Sequence, residues 1–155
     1  MDTVIIREKQ TEMNPTELRI GNYVSRDGEV DVINGIWCEI GESGLDDFYI
    51  QAGNKLDYPI DDIQPIPITE EWLKRIGFAL RFDFDKSHGI YYNKLREDTE
   101  DMLTLRPYYM GGFLWGHSEN PDEFPIEMGN PIGVEHVHQL QNLYFALTGS
   151  DLKIQ

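Results

Sequence analysis

The chain has 155 residues, 40% of them apolar and 12% aromatic, so it can bury a core and wholesale disorder is excluded. Its formal net charge of −15 repels phosphate backbones, and we expect no broad binding to nucleic acid. No apolar run approaches the ~20 residues of a membrane span. The start, MDTVIIREKQTEMNP, has a short apolar run with acidic flanks, whereas a signal peptide has a basic start and a longer apolar region, so we expect none. We therefore expect a cytoplasmic protein. The single cysteine, Cys38, fits that reducing compartment.

The first part of the chain is predicted to be a leader followed by a β-rich lobe. Residues 1–15 form the leader, and Asn14-Pro15 ends whatever secondary structure precedes it. In residues 16–68, short runs rich in β-branched and aromatic residues follow one another closely. Such spacing is typical of a small antiparallel barrel or a curled sheet. Pro59, Pro65 and Pro67 indicate that this segment lies at the edge of the sheet or that the lobe ends there.

One hairpin in the lobe has a strong local signal. The run ELRIGNYV, residues 17–24, is predicted to be extended with a turn or bulge at Gly21-Asn22, and Asp27-Gly28 follows it. This dipeptide favours the tight two-residue turn between antiparallel strands. Beyond the turn, Val30 and Val32 alternate with acidic residues, as in a strand with one apolar and one polar face.

A short helix is predicted after the lobe. Thr69 is a good N-cap, and two glutamates follow it in the first turn, where the helix dipole favours negative charge. Trp72 and Leu73 begin an apolar stripe. Gly77 supplies the left-handed residue at the end.

The remaining sequence predicts a second antiparallel sheet and a closing helix. The segments ALRFDFDK, GIYYNKL, MLTLRPYYM and GGFLWG have the alternation or composition of strands. Val134 begins a series of apolar residues at helical spacing that ends at Leu147, and Gly149 follows as a C-terminal glycine. We expect residues 69–155 to form one compact unit. The fold class is α+β: a small barrel-like β-lobe, a short helix, a second antiparallel sheet and a C-terminal packing helix.

The pair His136 and His138 is the main candidate for metal binding or acid/base chemistry. On a helix, residues two apart point about 200° apart, so these two could not chelate one ion. On a strand they would share a face. We interpret them as part of a first helical turn, with one ring partly buried and the other solvated. His117, in the acidic stretch HSENPDE, is a weaker candidate of the same kind.

Two pairs of adjacent acids, Asp46-Asp47 and Asp61-Asp62, do not suggest catalysis. Catalytic carboxylates converge in a cleft, whereas neighbours on a strand point to opposite faces. The chain also lacks a nucleophile elbow, a phosphate loop and zinc-ligand spacing. We therefore expect no enzyme and no cofactor, and keep a metal-dependent hydrolase as an alternative.

Three segments together resemble a known family. ELRIGNYV (17–24), PIPITEEWLKRIGF (65–78) and VHQLQNLYFALTGSDL (137–152) are similar to anchors of small proteins encoded by phages, prophages and conjugative elements of gut Bacteroidetes. That family has no assigned activity, and it carries over no catalytic residue. The resemblance implies an accessory protein of a mobile element that works inside a bacterial host cell.

These observations favour a non-enzymatic interaction or scaffold protein that binds a protein partner or itself. Phe145 and Gln141 lie off the main apolar stripe of the closing helix and are the predicted interaction surface there. The alternative is an acidic decoy that occupies the basic surface of a host DNA-binding defence protein. Residues 21–70 carry 11 acids and 2 bases, including Asp46, Asp47, Asp61 and Asp62, which we expect to contact such a partner.

Overall fold

The fold is α+β, as predicted. The structure, a computed structural model, describes residues 13–41, 46–53, 56–82, 89–108, 111–118 and 133–155. Two compact units divide the chain, one ending at Ile66 and the other beginning at Pro67. Nearly all of the predicted leader lies outside the described residues.

The N-terminal unit is a curled antiparallel sheet of four strands in sequential order. Its elements are a single 3-10 turn at Pro15–Glu17, β1 (Tyr23–Arg26), β2 (Glu29–Ile40), β3 (Asp46–Ala52), β4 (Leu56–Pro59) and a second 3-10 turn at Ile60–Asp62.

The start of this unit differs from the prediction. An extended run from residue 17 was expected, interrupted by a turn or bulge at Gly21-Asn22. Glu17 instead ends a 3-10 turn, in which the Asn14 side chain accepts a hydrogen bond from the backbone N–H of Thr16 at 3.0 Å. A turn does precede the first strand: the N–H of Asn22 donates to the carbonyl of Arg19 at 3.1 Å, and the strand begins at Tyr23. The predicted hairpin is confirmed: Asp27 and Gly28 both adopt left-handed backbone angles, with φ of 52° and 85°, and join β1 to β2.

Strand β2 pairs with β1 in its first half and with β3 in its second half. The register shifts between Ile33 and Gly35, which makes Asn34 the extra residue of a β-bulge. Ile33 is fully buried, and Ile36, three residues later, also packs on the core. The bulge thus bends the strand and keeps one face turned inward on both sides of the bend.

The chain then returns to the other edge of β1. Ser25 and Gln64 exchange two backbone hydrogen bonds of 2.9 and 2.8 Å, so the curled sheet approaches a closed barrel. Its interior is apolar and consists of Met13, Val24, Ile33, Ile50, Ala52 and Ile63.

The apolar face expected at Val30 and Val32 is the outer one. Their side chains are 41% and 36% exposed, whereas Asp31 lies on the inner face, where Arg26 donates to its carboxylate at 3.4 Å. Alternation of residue types indicates that a strand has two different faces but does not show which face is buried. Here Asp31 pairs with the buried Val24, so the face that carries Asp31 is the inner one.

The C-terminal unit is a five-stranded antiparallel sheet with two helices. In chain order these are α1 (Glu70–Arg75), β5 (Ala79–Phe82), β6 (Gly89–Lys94), β7 (Met102–Pro107), β8 (Phe113–Ser118), β9 (Gly133–Val134) and α2 (Val137–Thr148), and the strands lie in sequential order. The predicted caps of α1 are confirmed. Thr69 Oγ1 accepts from the N–H of Trp72 at 3.2 Å, and Gly77 is left-handed, with φ of 89°.

The closing helix starts three residues later than predicted. Val134 pairs with Phe113 as part of β9, and His136 forms a bridge with Pro67, so the backbone stays extended up to the helix. Gln139 Oε1 then accepts from the N–H of His136 at 3.2 Å and caps the first turn. Gly149, with φ of 72°, ends the helix as predicted.

We expect Gly28→Ala to destabilise the N-terminal unit by about 1 kcal/mol, because a Cβ is disfavoured at a left-handed position. No atom lies within 4 Å of where that Cβ would stand, so backbone strain is the whole effect. Gly28→Asn is the matched control, since Asn tolerates this conformation. Urea denaturation measures both variants, and equal stability of the alanine variant and the wild type would contradict the turn assignment.

Candidate functional site: rings and carboxylates on the outer sheet face

Three ring side chains form a row across the outer face of the N-terminal sheet. Trp37 on β2 is opposite Tyr49 on β3, and Tyr49 is opposite Pro59 on β4. The rings of Trp37 and Tyr49 are stacked, with centroids 6.3 Å apart and planes 15° from parallel. Both rings are partly exposed and Pro59 is exposed. We call these three residues the ring row.

The alternation of the strands places the ring row on the outside. Ile36 and Ile50, the neighbouring pair in the register, face the core, so Trp37 and Tyr49 must face away from it. The indole lies beside Gly35: a Cβ built there would be in ordinary van der Waals contact with Cζ3 of Trp37, at 3.5 Å. The indole therefore leans along its own strand over Gly35.

Carboxylates flank the ring row on both sides along the strand direction. On one side, Glu39 and Asp47 are directly opposite each other on β2 and β3, two residues from Trp37 and Tyr49, and both are exposed. On the other side, Asp57 lies two residues from Pro59 on β4 and accepts from Gln51 Nε2 at 3.3 Å. Like charges directly opposite each other on antiparallel strands are destabilising. A cation bound between Glu39 and Asp47 would relieve that repulsion.

The described arginines of the N-terminal unit are engaged within it. The guanidinium of Arg26 lies 4.3 Å from the ring centroid of Tyr58 and contacts the carboxylates of Asp27 and Asp31 at 3.2 and 3.4 Å. Arg19 donates to the carbonyl of Ile20 at 3.4 Å. The positive charge of these two side chains is therefore directed at groups of the same unit.

The acids predicted as an interaction surface lie on different elements. Asp47 is on β3, and Asp61 and Asp62 are in the 3-10 turn after β4; all three are exposed. The side chain of Asp46 lies outside the described residues.

The two candidate histidines are stacked. His136 is the N-cap of α2 and has an extended backbone, while His138 is the second residue of the helix and only 2% exposed. Their ring centroids are 5.7 Å apart and their planes 12° from parallel. The expectation that the two side chains point apart is wrong, because His136 stands outside the helix. The expectation of one solvated ring is also wrong, since His136 is half-buried.

The other metal candidate, His117, is an exposed residue of β8. Its Nε2 lies 3.3 Å from Oδ1 of Asp101, which precedes the neighbouring strand. The acids that follow it in HSENPDE lie outside the described residues. Among those that are described, no three His, Cys, Asp or Glu side chains form a group that could hold a metal ion.

Of the two residues predicted to form an interaction surface on α2, one is exposed and the other is buried. Phe145 is 39% exposed, but Gln141 is 1% exposed and donates from Nε2 to the carbonyl of Leu152 at 3.1 Å. Gln141 follows Leu140 on the buried side of the helix, where it fastens the C-terminal tail. Its assignment to an exposed surface is therefore wrong.

Sequence reasoning missed the ring row. Its signal is the alternation of Trp37 with Glu39 and of Asp47 with Tyr49, which puts rings and acids on one face of each strand. Only the register between β2 and β3 shows that the face of β2 with Trp37 and the face of β3 with Tyr49 lie on the same side of the sheet.

Comparison of the chain with protein-family models, with curated proteins and with solved structures returns no match. Across the described residues, no helix combines the length and apolar character that crossing a membrane requires. Function must therefore be argued from the residues and their geometry.

We expect His138→Ala to destabilise the protein by roughly 2 kcal/mol or more, because it empties a buried site, and His136→Ala to cost less than about 1 kcal/mol. Chemical denaturation measures the difference. Added Zn²⁺ should leave all unfolding temperatures unchanged. A zinc-dependent rise that either variant abolishes would contradict this structural role and favour the metal-dependent hydrolase.

We expect Phe145→Glu to destabilise the protein by no more than about 1 kcal/mol, because 39% of the side chain is exposed. If Phe145 mediates self-association, the variant sediments as a monomer where the wild type forms a larger species. Ala146→Glu adds the same charge at the neighbouring exposed position and serves as the control. A sharp loss of stability in Phe145→Glu alone would make this residue part of the core.

Proposed function

We propose that the chain is a non-enzymatic interaction protein of a mobile genetic element, and that its N-terminal unit binds a basic surface of a protein partner inside the bacterial host. One observation carries the proposal. Every exposed charged side chain in the described part of this unit is acidic, and these residues are Glu17, Asp27, Glu29, Glu39, Asp47, Asp57, Asp61 and Asp62.

The charge of this surface has a physical consequence for binding. Acids on one unit add up to a negative potential that attracts a basic partner and speeds its encounter. The single charge of Arg26 is balanced by Asp27 and Asp31, which its guanidinium contacts at 3.2 and 3.4 Å, so the other exposed acids set the sign of that potential. The binding energy of such an interface is sensitive to salt, since added ions screen exposed charges beyond about 10 Å at 0.1 M.

We expect the chain to capture a basic protein from nuclease-treated host lysate at low salt and to lose it at high salt. Replacing Asp47, Asp61 and Asp62 by Asn should weaken capture roughly tenfold. The matched control replaces three exposed acids of the C-terminal unit, Glu97→Gln, Asp98→Asn and Glu100→Gln, and should retain the partner. Quantitative mass spectrometry measures the amount of partner captured by each variant. Capture by the wild type that resists high salt would contradict the proposal.

A more specific form of this function is an acidic decoy for a host DNA-binding defence protein. Carboxylates on neighbouring strands, such as Glu39 and Asp47, present negative charge at a protein surface as phosphates do on DNA. A decoy and DNA compete for one basic surface. Duplex DNA would then release the captured partner, whereas a partner that stays bound in excess DNA would exclude the decoy and leave the general interaction role.

A further inference from the structure

We propose that the ring row and its flanking carboxylates form a docking site for an extended, arginine-bearing segment of the partner. The inference rests on the proposed function and adds to it the chemistry of the segment that is recognised. The charge complementarity lies in Glu39, Asp47 and Asp57, which stand on the outer face with Trp37 and Tyr49.

The rings provide a surface that favours a planar cation. A guanidinium over the face of an aromatic ring is attracted by the ring quadrupole, and tryptophan is the strongest ring for this contact. Trp37 and Tyr49 are nearly parallel and partly exposed, and Gly35 leaves the indole without a competing side chain on its own strand. Pro59 extends the row by a further apolar ring on the next strand.

The carboxylates select a cation that can form several directed hydrogen bonds. Glu39 and Asp47 are opposite each other, so their oxygens can accept from one guanidinium placed between them. Arginine offers five donors in a fixed plane and is less strongly hydrated than lysine, and it is therefore favoured where rings and carboxylates occur together.

The N-terminal unit already contains one arginine that is held by an aromatic ring and carboxylates of the same unit. Arg26 lies over the ring of Tyr58 while its guanidinium contacts Asp27 and Asp31. On the outer face, Trp37 and Tyr49 stand beside carboxylates in the same way, but the described residues supply no guanidinium to them. A partner's arginine would complete the arrangement.

The separation of the carboxylates indicates an extended ligand. Glu39 pairs with Asp47, and Asp57 pairs with Gln51. Asp47 and Gln51 are four residues apart on β3. Four strand residues span roughly 13 Å, which is the distance between residues i and i+4 of an extended peptide. An arginine at residue i would reach Glu39 and Asp47, and one at residue i+4 would reach Asp57. The peptide residues between them would cross the ring row.

The test uses the full chain and two fluorescein-labelled peptides of eight residues, one alternating arginine with glycine and the other lysine with glycine. Fluorescence anisotropy gives their affinities. We expect the arginine peptide to bind more tightly than the lysine peptide, and each contact of a cation with a ring to strengthen binding by about two- to fivefold. The variants Trp37→Leu and Tyr49→Leu should remove that preference, whereas Tyr49→Phe keeps the ring and should retain it.

A charge control separates this inference from the proposed function. Replacing Asp61 and Asp62 by Asn should weaken both peptides alike and leave the arginine preference intact. Equal binding of the two peptides, unaffected by Trp37→Leu and Tyr49→Leu, would overturn the ring-row site while the acidic unit still bound basic partners. If the wild-type chain captured no basic protein from the lysate at low salt, or captured one that resisted high salt, the proposed function itself would instead be overturned.

A measurement on the wild type covers the case in which the leucine variants do not fold. In a ¹⁵N-correlation titration with the arginine peptide, the indole N–H signal of Trp37 should shift, and those of Trp72 and Trp115 should not. Shifts confined to residues of the 3-10 turn at Ile60–Asp62 would place the peptide elsewhere and contradict the site.

Discussion

The extra residue in β2, Asn34, sets the geometry of the N-terminal unit. It allows one twelve-residue strand to pair with β1 and then with β3 while Ile33 and Ile36 both face the core. Without it, every residue beyond the bend would exchange faces, because side chains alternate with a period of two. Trp37 and Glu39 would then point inward. The outer surface therefore depends on the same bulge as the core.

Apolar packing, rather than ion pairing, holds this arrangement. Ile33, Ile50 and Val24 are fully buried, and complete burial of each such side chain is worth roughly 1.5–3 kcal/mol. Exposed ion pairs contribute about 0–1 kcal/mol each. The surface charges are consequently available for function, since their loss changes stability little. Under the proposed function, the acidic composition thus bears on binding more than on folding.

Local chemistry made part of the fold predictable. The turn at Asp27-Gly28, the cap at Thr69 and the glycine after α2 each depend on a few adjacent residues, and all three are confirmed. Register and tertiary contacts decided the rest. The outward face of Val30 follows from strand pairing, and the burial of Gln141 follows from a hydrogen bond to a residue eleven positions away. The site was missed for the same reason, because its rings are on different strands.

Hydroxyl-radical footprinting of the full chain, alone and with its captured partner, tests the central claim most directly. It reads the solvent access of individual side chains in the assembled complex. The account predicts slower oxidation of Trp37 and Tyr49 in the complex and unchanged oxidation of Phe145 and Ile154. Protection of Phe145 and Ile154 with unchanged oxidation of Trp37 and Tyr49 would contradict it and place the partner on the C-terminal unit.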